Sequence, residues 1–180
     1  FRVEALNRNG TPDLQAGSHP YALNIEFNFN HDAEGNADGS ARDVVLDLPP
    51  GLIGNPSAIG ECAYGEFENT QSPLCPGTTQ VGTLLAHIGG TSPEGPIYNL
   101  TPPLGAPARL GFGAAGLNVL LDASVRTGEG YGIGLTDNLI PLPELLSVSS
   151  TTWGLPADPG HDAERQCGGQ GKGFNEYIHG

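Results

Sequence analysis

The glycines and prolines of this chain interrupt its sequence every few residues, and that spacing constrains the fold more than any other feature. The sequence contains 28 Gly and 16 Pro among 180 residues. Both residues destabilise the interior of a helix, and a helix also needs a sustained 3.6-residue apolar period. No long segment carries such a period free of Gly and Pro, so we expect little helix. The uninterrupted runs that remain have the length of β-strands.

Apolar residues occupy every second position in ALNIEFNF (22–29) and again in RDVVLDLP (42–49). This alternation is typical of strands with one buried face in an antiparallel sheet. Because a polar segment joins the two runs, we expect them to be neighbours in a long-looped hairpin. Further strand-like runs, each bounded by Gly or Pro turns, cover 79–88, 96–100, 108–113, 117–126, 130–136 and 145–153.

A series of short strands spaced by such turns is typical of sandwiches and barrels. We therefore predict one all-β domain over residues 1–166, an antiparallel β-sandwich with Ig-like or jelly-roll-like topology. Residues 167–180 are predicted to be a Gly-rich tail or an exchanged strand. The terminal segments FRVEAL (1–6) and FNEYI (174–178) have the pattern of strands without an obvious partner. Such segments have two interpretations, frayed ends or strands that are exchanged between subunits.

Acidic residues outnumber basic ones, twenty to seven, and give a net charge of −13. Nucleic acid and anionic lipid both require a cationic surface, so neither is expected as a main partner. No apolar run approaches the roughly 20 residues of a membrane-spanning helix, so we expect no membrane insertion. The chain begins at Phe1 and contains no Met. We expect a trimmed or excised segment of an extracellular or cell-surface protein.

The three cysteines predict one disulfide and one unpaired thiol. Cys62 and Cys75 bracket a short loop that contains a proline. A disulfide between them would stabilise this loop, and two free thiols are the alternative. Cys167 is left over, which in a secreted chain suggests an intermolecular bond or a partner cysteine beyond this segment. Zinc is disfavoured because no C-x₂-C pair is present.

Oxygen-bearing side chains occupy alternate positions between the first two predicted strands: Asp32, Glu34, Asn36 and Asp38, with Asp43 further on. Oxygen ligands two residues apart, followed by a glycine, are the pattern of a Ca²⁺-binding loop. The bidentate acid that such a loop uses at its twelfth position is missing. The sequence leaves two interpretations, a Ca²⁺ site or a solvated acidic loop, and we expect no other cofactor.

Two further features have a chemical and a structural interpretation each. Trp153 ends a predicted strand, where it either stacks on a sugar as an exposed platform or covers the core. Downstream lies a group of polar residues: Asp158, His161, Asp162, Glu164 and Cys167. Such residues form metal sites or acid/base pairs, but no known catalytic spacing is present. A capped turn at Asp158 is the structural interpretation.

Several segments follow one another in a consensus-like order: QAGSHPY, DVVLDLPPGLIGNP, the CP-x₃-QVG run (75–82), IYNLTPPLGAPARLGF, VLLDASVRTGEGYG and TTWGLPADPGHDAER. Over roughly residues 15–166 the chain resembles the β-rich domains of large predicted-secreted actinobacterial surface proteins. The resemblance implies an exported, surface-exposed, β-rich module. It implies no catalytic residue.

These features favour a non-enzymatic extracellular module with a structural or adhesive function. We expect it to self-associate, or to stack with neighbouring modules in a cell-surface or filamentous assembly, by exchange of a terminal strand. A carbohydrate-binding module that uses Trp153 and Ca²⁺ is the first alternative. A hydrolase that uses acids near His161 is the second.

Overall fold

A computed structural model describes residues 1–68, 75–114, 117–127, 132–138 and 144–165. The predicted terminal strand 174–178 and the unpaired Cys167 lie outside these residues. Only short helical segments occur within them. The helix α1 covers Tyr64–Phe67, and 3₁₀ turns cover Pro56–Ala58, Gly77–Thr79 and Pro159–Glu164.

Nine strands account for most of the described chain. They are β1 (Arg2–Leu6), β2 (Ala22–Asn28), β3 (Asp43–Asp47), β4 (Gln80–Ile88), β5 (Glu94–Leu100), β6 (Arg109–Ala114), β7 (Leu117–Val125), β8 (Ile133–Asn138) and β9 (Leu145–Trp153). Each of these strands coincides with a run that the Gly/Pro spacing predicts. The all-β prediction and the low helix content are therefore confirmed.

The strands form one antiparallel sheet in the order β1-β2-β9-β4-β5-β6-β7-β8-β3, curled into a half barrel. Pairing runs without a break through all nine strands of the described chain. The structure therefore does not show the two packed sheets that the sandwich prediction requires. Turn spacing identifies antiparallel neighbours, but it does not indicate whether a large sheet splits in two or curls. Bulges bend a strand and increase its twist, and both ladders of β4 contain an irregularity.

The predicted hairpin of β2 with β3 is wrong. β2 pairs with β1 and β9, whereas β3 pairs with β8 at the other end of the sheet. Short loops force two strands to be neighbours, but the connection over residues 29–42 is long enough to cross between distant strands. The alternation in each run indicates which side chains are buried, and it carries no information about the neighbouring strand.

Alternate residues of the central strands face opposite sides of the sheet and form two apolar clusters. The first comprises Val81, Leu84, Ala86, Ile97, Phe112, Val119 and Leu145. The second comprises Cys62, Phe67, Cys75, Tyr98 and Leu100. We name the two sides the Leu84 face and the Tyr98 face. Helix α1 covers the Tyr98 face, where the rings of Phe67 and Tyr98 meet edge to face at 6.5 Å.

Gly82 is required where three strands come close together. It lies at the bulge between β4 and β5 and pairs with Thr152 of β9. A Cβ atom at this position would overlap the backbone carbonyl of Thr151. The backbone of β9 cannot move away without straining its own ladder, so a side chain at this position destabilises the sheet.

Replacing Gly82 with alanine is expected to lower the free energy of unfolding by about 2–3 kcal/mol or more, because the new methyl group overpacks the sheet. Urea denaturation of the Gly82→Ala variant measures this loss. Gly65→Ala is the matched control, since no heavy atom lies within 4 Å of its added Cβ. Equal stability of the two variants would contradict the close approach at Gly82.

Candidate functional site

The structure brings two of the five candidate Ca²⁺ ligands, Asp32 and Asn36, into contact. Asp32, Glu34, Asn36 and Asp38 lie in the exposed connection after β2, while Asp43 begins β3. Within the described ranges, no group of three or more His, Cys, Asp or Glu side chains is placed to hold a metal ion.

The carboxylate of Asp32 organises its own loop. It accepts hydrogen bonds from the backbone N–H of Glu34 at 3.0 Å and of Asn36 at 2.8 Å, and from Nδ2 of Asn36 at 3.1 Å. The bonds from Asn36 hold the pKa of Asp32 below its usual value. This arrangement is an Asx turn, which explains the acidic residue by loop geometry alone.

Trp153 is buried at the end of β9, with 3 % of its surface exposed. His161 stacks on its ring at 4.5 Å, and Tyr21 stacks on His161 at 4.4 Å. Two guanidinium groups close this stack, Arg165 over Trp153 at 4.9 Å and Arg8 over Tyr21 at 4.7 Å. Trp153 therefore does not present an exposed platform for a sugar in this structure.

The carboxylates around the stack hold neighbouring groups in place. Glu164 accepts a hydrogen bond from Nε1 of Trp153 at 2.9 Å, and Asp162 pairs with Arg165 at 3.2 Å. Asp158 caps the last 3₁₀ turn by accepting the N–H of Gly160 at 2.7 Å and forms an ion pair with Arg8. These contacts give the predicted acid/base cluster a structural explanation.

The buried ring of His161 is suited to the neutral state. Within the described part of the chain, neither of its nitrogens makes a hydrogen bond, and Nδ1 lies 3.5 Å from Oε2 of Glu164. Burial lowers the pKa of His161 below 6.5, while the charge of Glu164 opposes this shift. The nearby guanidinium group of Arg165 lowers the pKa further, whereas Asp158 raises it.

Acidification is expected to destabilise this stack. The unfolded chain binds a proton at His161 more readily than the folded chain, so the stabilisation is complete above about pH 6.5 and declines as the pH falls below that value. His161→Leu removes this titration. The free energy of unfolding of the wild type minus that of His161→Leu should be smaller at about pH 5 than at about pH 8. The fluorescence emission of Trp153, the single tryptophan, follows unfolding of each protein. A stability difference that stays the same at all pH values would contradict the expected titration of His161.

The predicted disulfide is confirmed. Cys62 and Cys75 are bonded, with their Cα atoms 5.4 Å apart, and both belong to the cluster on the Tyr98 face. The bond holds the segment that carries α1 against β5. A parallel bridge between Cys62 and Leu100 fixes the same segment to the end of that strand. The disulfide therefore connects the loop to the core of the sheet.

The open edge of β3 is the strongest candidate for an interaction site. Leu48 donates its N–H to the carbonyl of Ile133, so alternate residues Leu46 and Val44 also direct their backbone groups toward β8. The backbone groups of Val45 therefore point away from the sheet, and no described strand lies beyond β3. The Val45 side chain is 68 % exposed. An extended strand of another chain fits such an edge.

The opposite edge, at β1, is open over part of its length. The carbonyl of Leu6 accepts the N–H of Tyr21 on the β2 side, whereas the carbonyl of Ala5 accepts the N–H of Asp13 on the outer side. Alternation along the strand then directs the backbone groups of Val3 outward. The chain after β1 thus covers the edge at Ala5, while no strand of the described residues pairs with the outer side of β1 at Val3.

Sequence reasoning missed Tyr21 and Arg8, which extend the stack on the side of His161 away from Trp153, and the role of β3. No local pattern marks Arg8 or Tyr21, because they reach the stack only through the pairing of Ala22 with Trp153. The alternation in DVVLD does indicate that Val45 faces outward. It contains no signal that the strand lies at an edge.

A scan against protein-family models and searches of the curated proteins and of the solved structures find no match to this chain. The resemblance to actinobacterial surface domains therefore stays a sequence-based prediction. In the part of the chain that the structure describes, no helix is long and apolar enough to cross a membrane.

Proposed function

We propose that this chain is a non-enzymatic structural module of an extracellular assembly, and that it associates with copies of itself through the open edges of its sheet. The observation that carries the proposal is the edge at β3, where the outward backbone groups of Val45 meet no described strand. An edge of this kind adds a strand from a partner through main-chain hydrogen bonds.

Two further observations support the proposal. The Cys62–Cys75 disulfide suits an oxidising compartment, where such bonds persist. The acidic and histidine side chains that suggested catalysis are engaged in the stack around Trp153 instead. Exchange of the FRVEAL segment remains a prediction, since that segment is β1 and pairs with β2 of its own chain. Addition at an edge requires no such exchange.

A proline at position 45 tests the edge without disturbing the sheet. Val45→Pro removes an outward N–H and leaves the bonds from β3 to β8 intact, so the variant should fold and fail to associate. Val45→Thr is the matched control, because it keeps the N–H and a β-branched side chain. Light scattering coupled to size exclusion measures the mass of each variant over one range of concentration. Association of Val45→Pro at the wild-type level would overturn the proposal.

A further inference from the structure

The geometry points to head-to-tail assembly, in which the β3 edge of one copy pairs in parallel with the β1 edge of the next. This inference rests on the proposed function and specifies its partner as a second copy of this chain, and the contact as its β1 edge. The argument uses strand direction, the side chains on each face, and the charges along both edges.

Strand direction makes the two edges compatible. Every neighbouring pair in the sheet is antiparallel, and the order contains nine strands. An odd number of alternating strands leaves β1 and β3 running in the same direction. A second copy that continues the sheet with the same side facing inward therefore brings its β1 parallel to β3. Repetition of this step forms a ring where the curvature of the half barrel brings the last edge back to the first, and an open filament where it does not.

The apolar side chains of both edges lie on the same face. Val3 pairs with Ile25, which pairs with Ser150, which pairs with Leu84, so Val3 lies on the Leu84 face. Leu46 reaches the same face through its pairing with Leu135 and the registers of β6, β7 and β8. Continuing the sheet in parallel therefore extends the apolar Leu84 face from one copy into the next.

The charges on the Tyr98 face complement each other across the same contact. β1 places Arg2 on that face, with its side chain 63 % exposed. β3 places Asp43 and Asp47 there. In a parallel pairing that keeps the faces aligned, Arg2 falls beside Asp43, Val45 or Asp47, depending on the register. Glu4 shares that face and lies 2.7 Å from Arg2. The Asp43 register is favoured, because it places Glu4 beside Val45, whereas the Val45 register places Glu4 beside Asp47. Pairs of opposite charge on adjacent strands stabilise a sheet.

The two symmetric alternatives are less favourable. A two-fold contact of β3 with β3 about Val45 places Asp43 of each copy opposite Asp47 of the other, and like charges in that position are destabilising. A two-fold contact of β1 with β1 about Val3 brings Ala5 of each copy opposite Phe1 of the other. In both copies the backbone N–H of Asp13 already donates to the outward carbonyl of Ala5. In the head-to-tail contact only one of the two strands has a covered end.

Complementation between two proline variants tests the inference. Val3→Pro removes an outward N–H from β1 and leaves β3 open, while Val45→Pro blocks β3 and leaves β1 open. Each variant alone should be a monomer by light scattering. An equimolar mixture should form a complex with twice the monomer mass and no larger species, because only one productive edge remains on each chain. Val3→Thr and Val45→Thr are the controls and should assemble as the wild type does.

Other outcomes separate this inference from the proposed function. If Val3→Pro alone forms dimers and the mixture contains no additional complex, β3 pairs with β3 of a second copy. The head-to-tail inference is then wrong, while the proposed association through sheet edges stands. If both variants assemble like the wild type, the edges are not the contact and the proposed function fails as well. Emission of Trp153 checks that each variant is folded.

A charge variant keeps the inference testable if a proline variant does not fold. Asp43 has a side chain that is 48 % exposed and lies 3.8 Å from Arg42. Asp43→Lys should weaken head-to-tail association by about threefold to tenfold, because it repels Arg2 of the next copy. The same change would strengthen a β3–β3 contact, where it removes a repulsion. A strengthened association would therefore overturn the inference.

Discussion

Removal of the Cys62–Cys75 disulfide is expected to lower the free energy of unfolding by about 3 kcal/mol, within the usual range of about 2–5 kcal/mol for a native disulfide. The bond closes a loop with a sequence separation of 13 residues, and Cys62 is fully buried. Part of the loss comes from the greater freedom of the unfolded chain. The rest comes from the cluster of Phe67, Tyr98 and Leu100, which loses two buried sulfur atoms.

Urea denaturation of a variant with Cys62→Ser and Cys75→Ser measures this effect. Cys167→Ser is the control, since it keeps the disulfide, and it should match the wild type. The loss should be accompanied by exposure of the segment that carries α1, detected as faster backbone hydrogen exchange. A loss of less than about 1 kcal/mol would contradict the structural role of the bond.

Asp137→Asn is expected to stabilise the protein at about pH 8 by up to about 3 kcal/mol. Asp137 is 6 % exposed on β8, and burial raises its pKa from 3.8 to about 6, with smaller contributions from the charges of Asp43 and Asp122. The folded chain thus binds a proton more readily than the unfolded chain. The stabilisation from this group is complete below about pH 3.8 and is lost as the pH rises through about 6.

The amide side chain has the same shape and carries no charge at any pH. The free energy of unfolding of Asp137→Asn should therefore equal that of the wild type near pH 4 and exceed it above about pH 6. The difference should be about 1.4 kcal/mol for each unit by which the pKa of Asp137 is raised. Asp38→Asn, at an exposed position, should change stability by less than about 0.5 kcal/mol. Denaturant titrations of the three proteins at both pH values measure these differences. A stability gain that does not depend on pH would point to a packing effect instead.

The strands and the disulfide of this protein follow from local patterns, whereas the arrangement of its strands does not. The alternation around Val44 and Leu46 predicts the strand and its buried side, because both depend on residues two positions apart. Which strand lies beside β3 depends on pairings between distant segments. Only the assembled sheet shows that β8 is its neighbour and that none of the described strands lies on its other side.

The environment of Trp153 illustrates the same limit. The sequence allows both a buried and an exposed ring, because the stack that contains the ring is built from separate segments. His161 and Arg165, which contact the Trp153 ring, belong to the turn after β9. Tyr21, which stacks on His161, and Arg8, which lies over Tyr21, come from the start of the chain. The capping residue Asp158 was accessible to sequence reasoning because it acts on its own turn. The stacked rings are not local, and no spacing in the sequence encodes them.

Self-association through open sheet edges is the central claim, and the mass of the chain as a function of concentration tests it most directly. Sedimentation equilibrium of a Cys167→Ser variant excludes intermolecular disulfides at that position. We expect the average mass to rise with concentration to at least that of a dimer, since each copy presents two complementary edges. A chain that stays monomeric over the whole accessible range would contradict the claim.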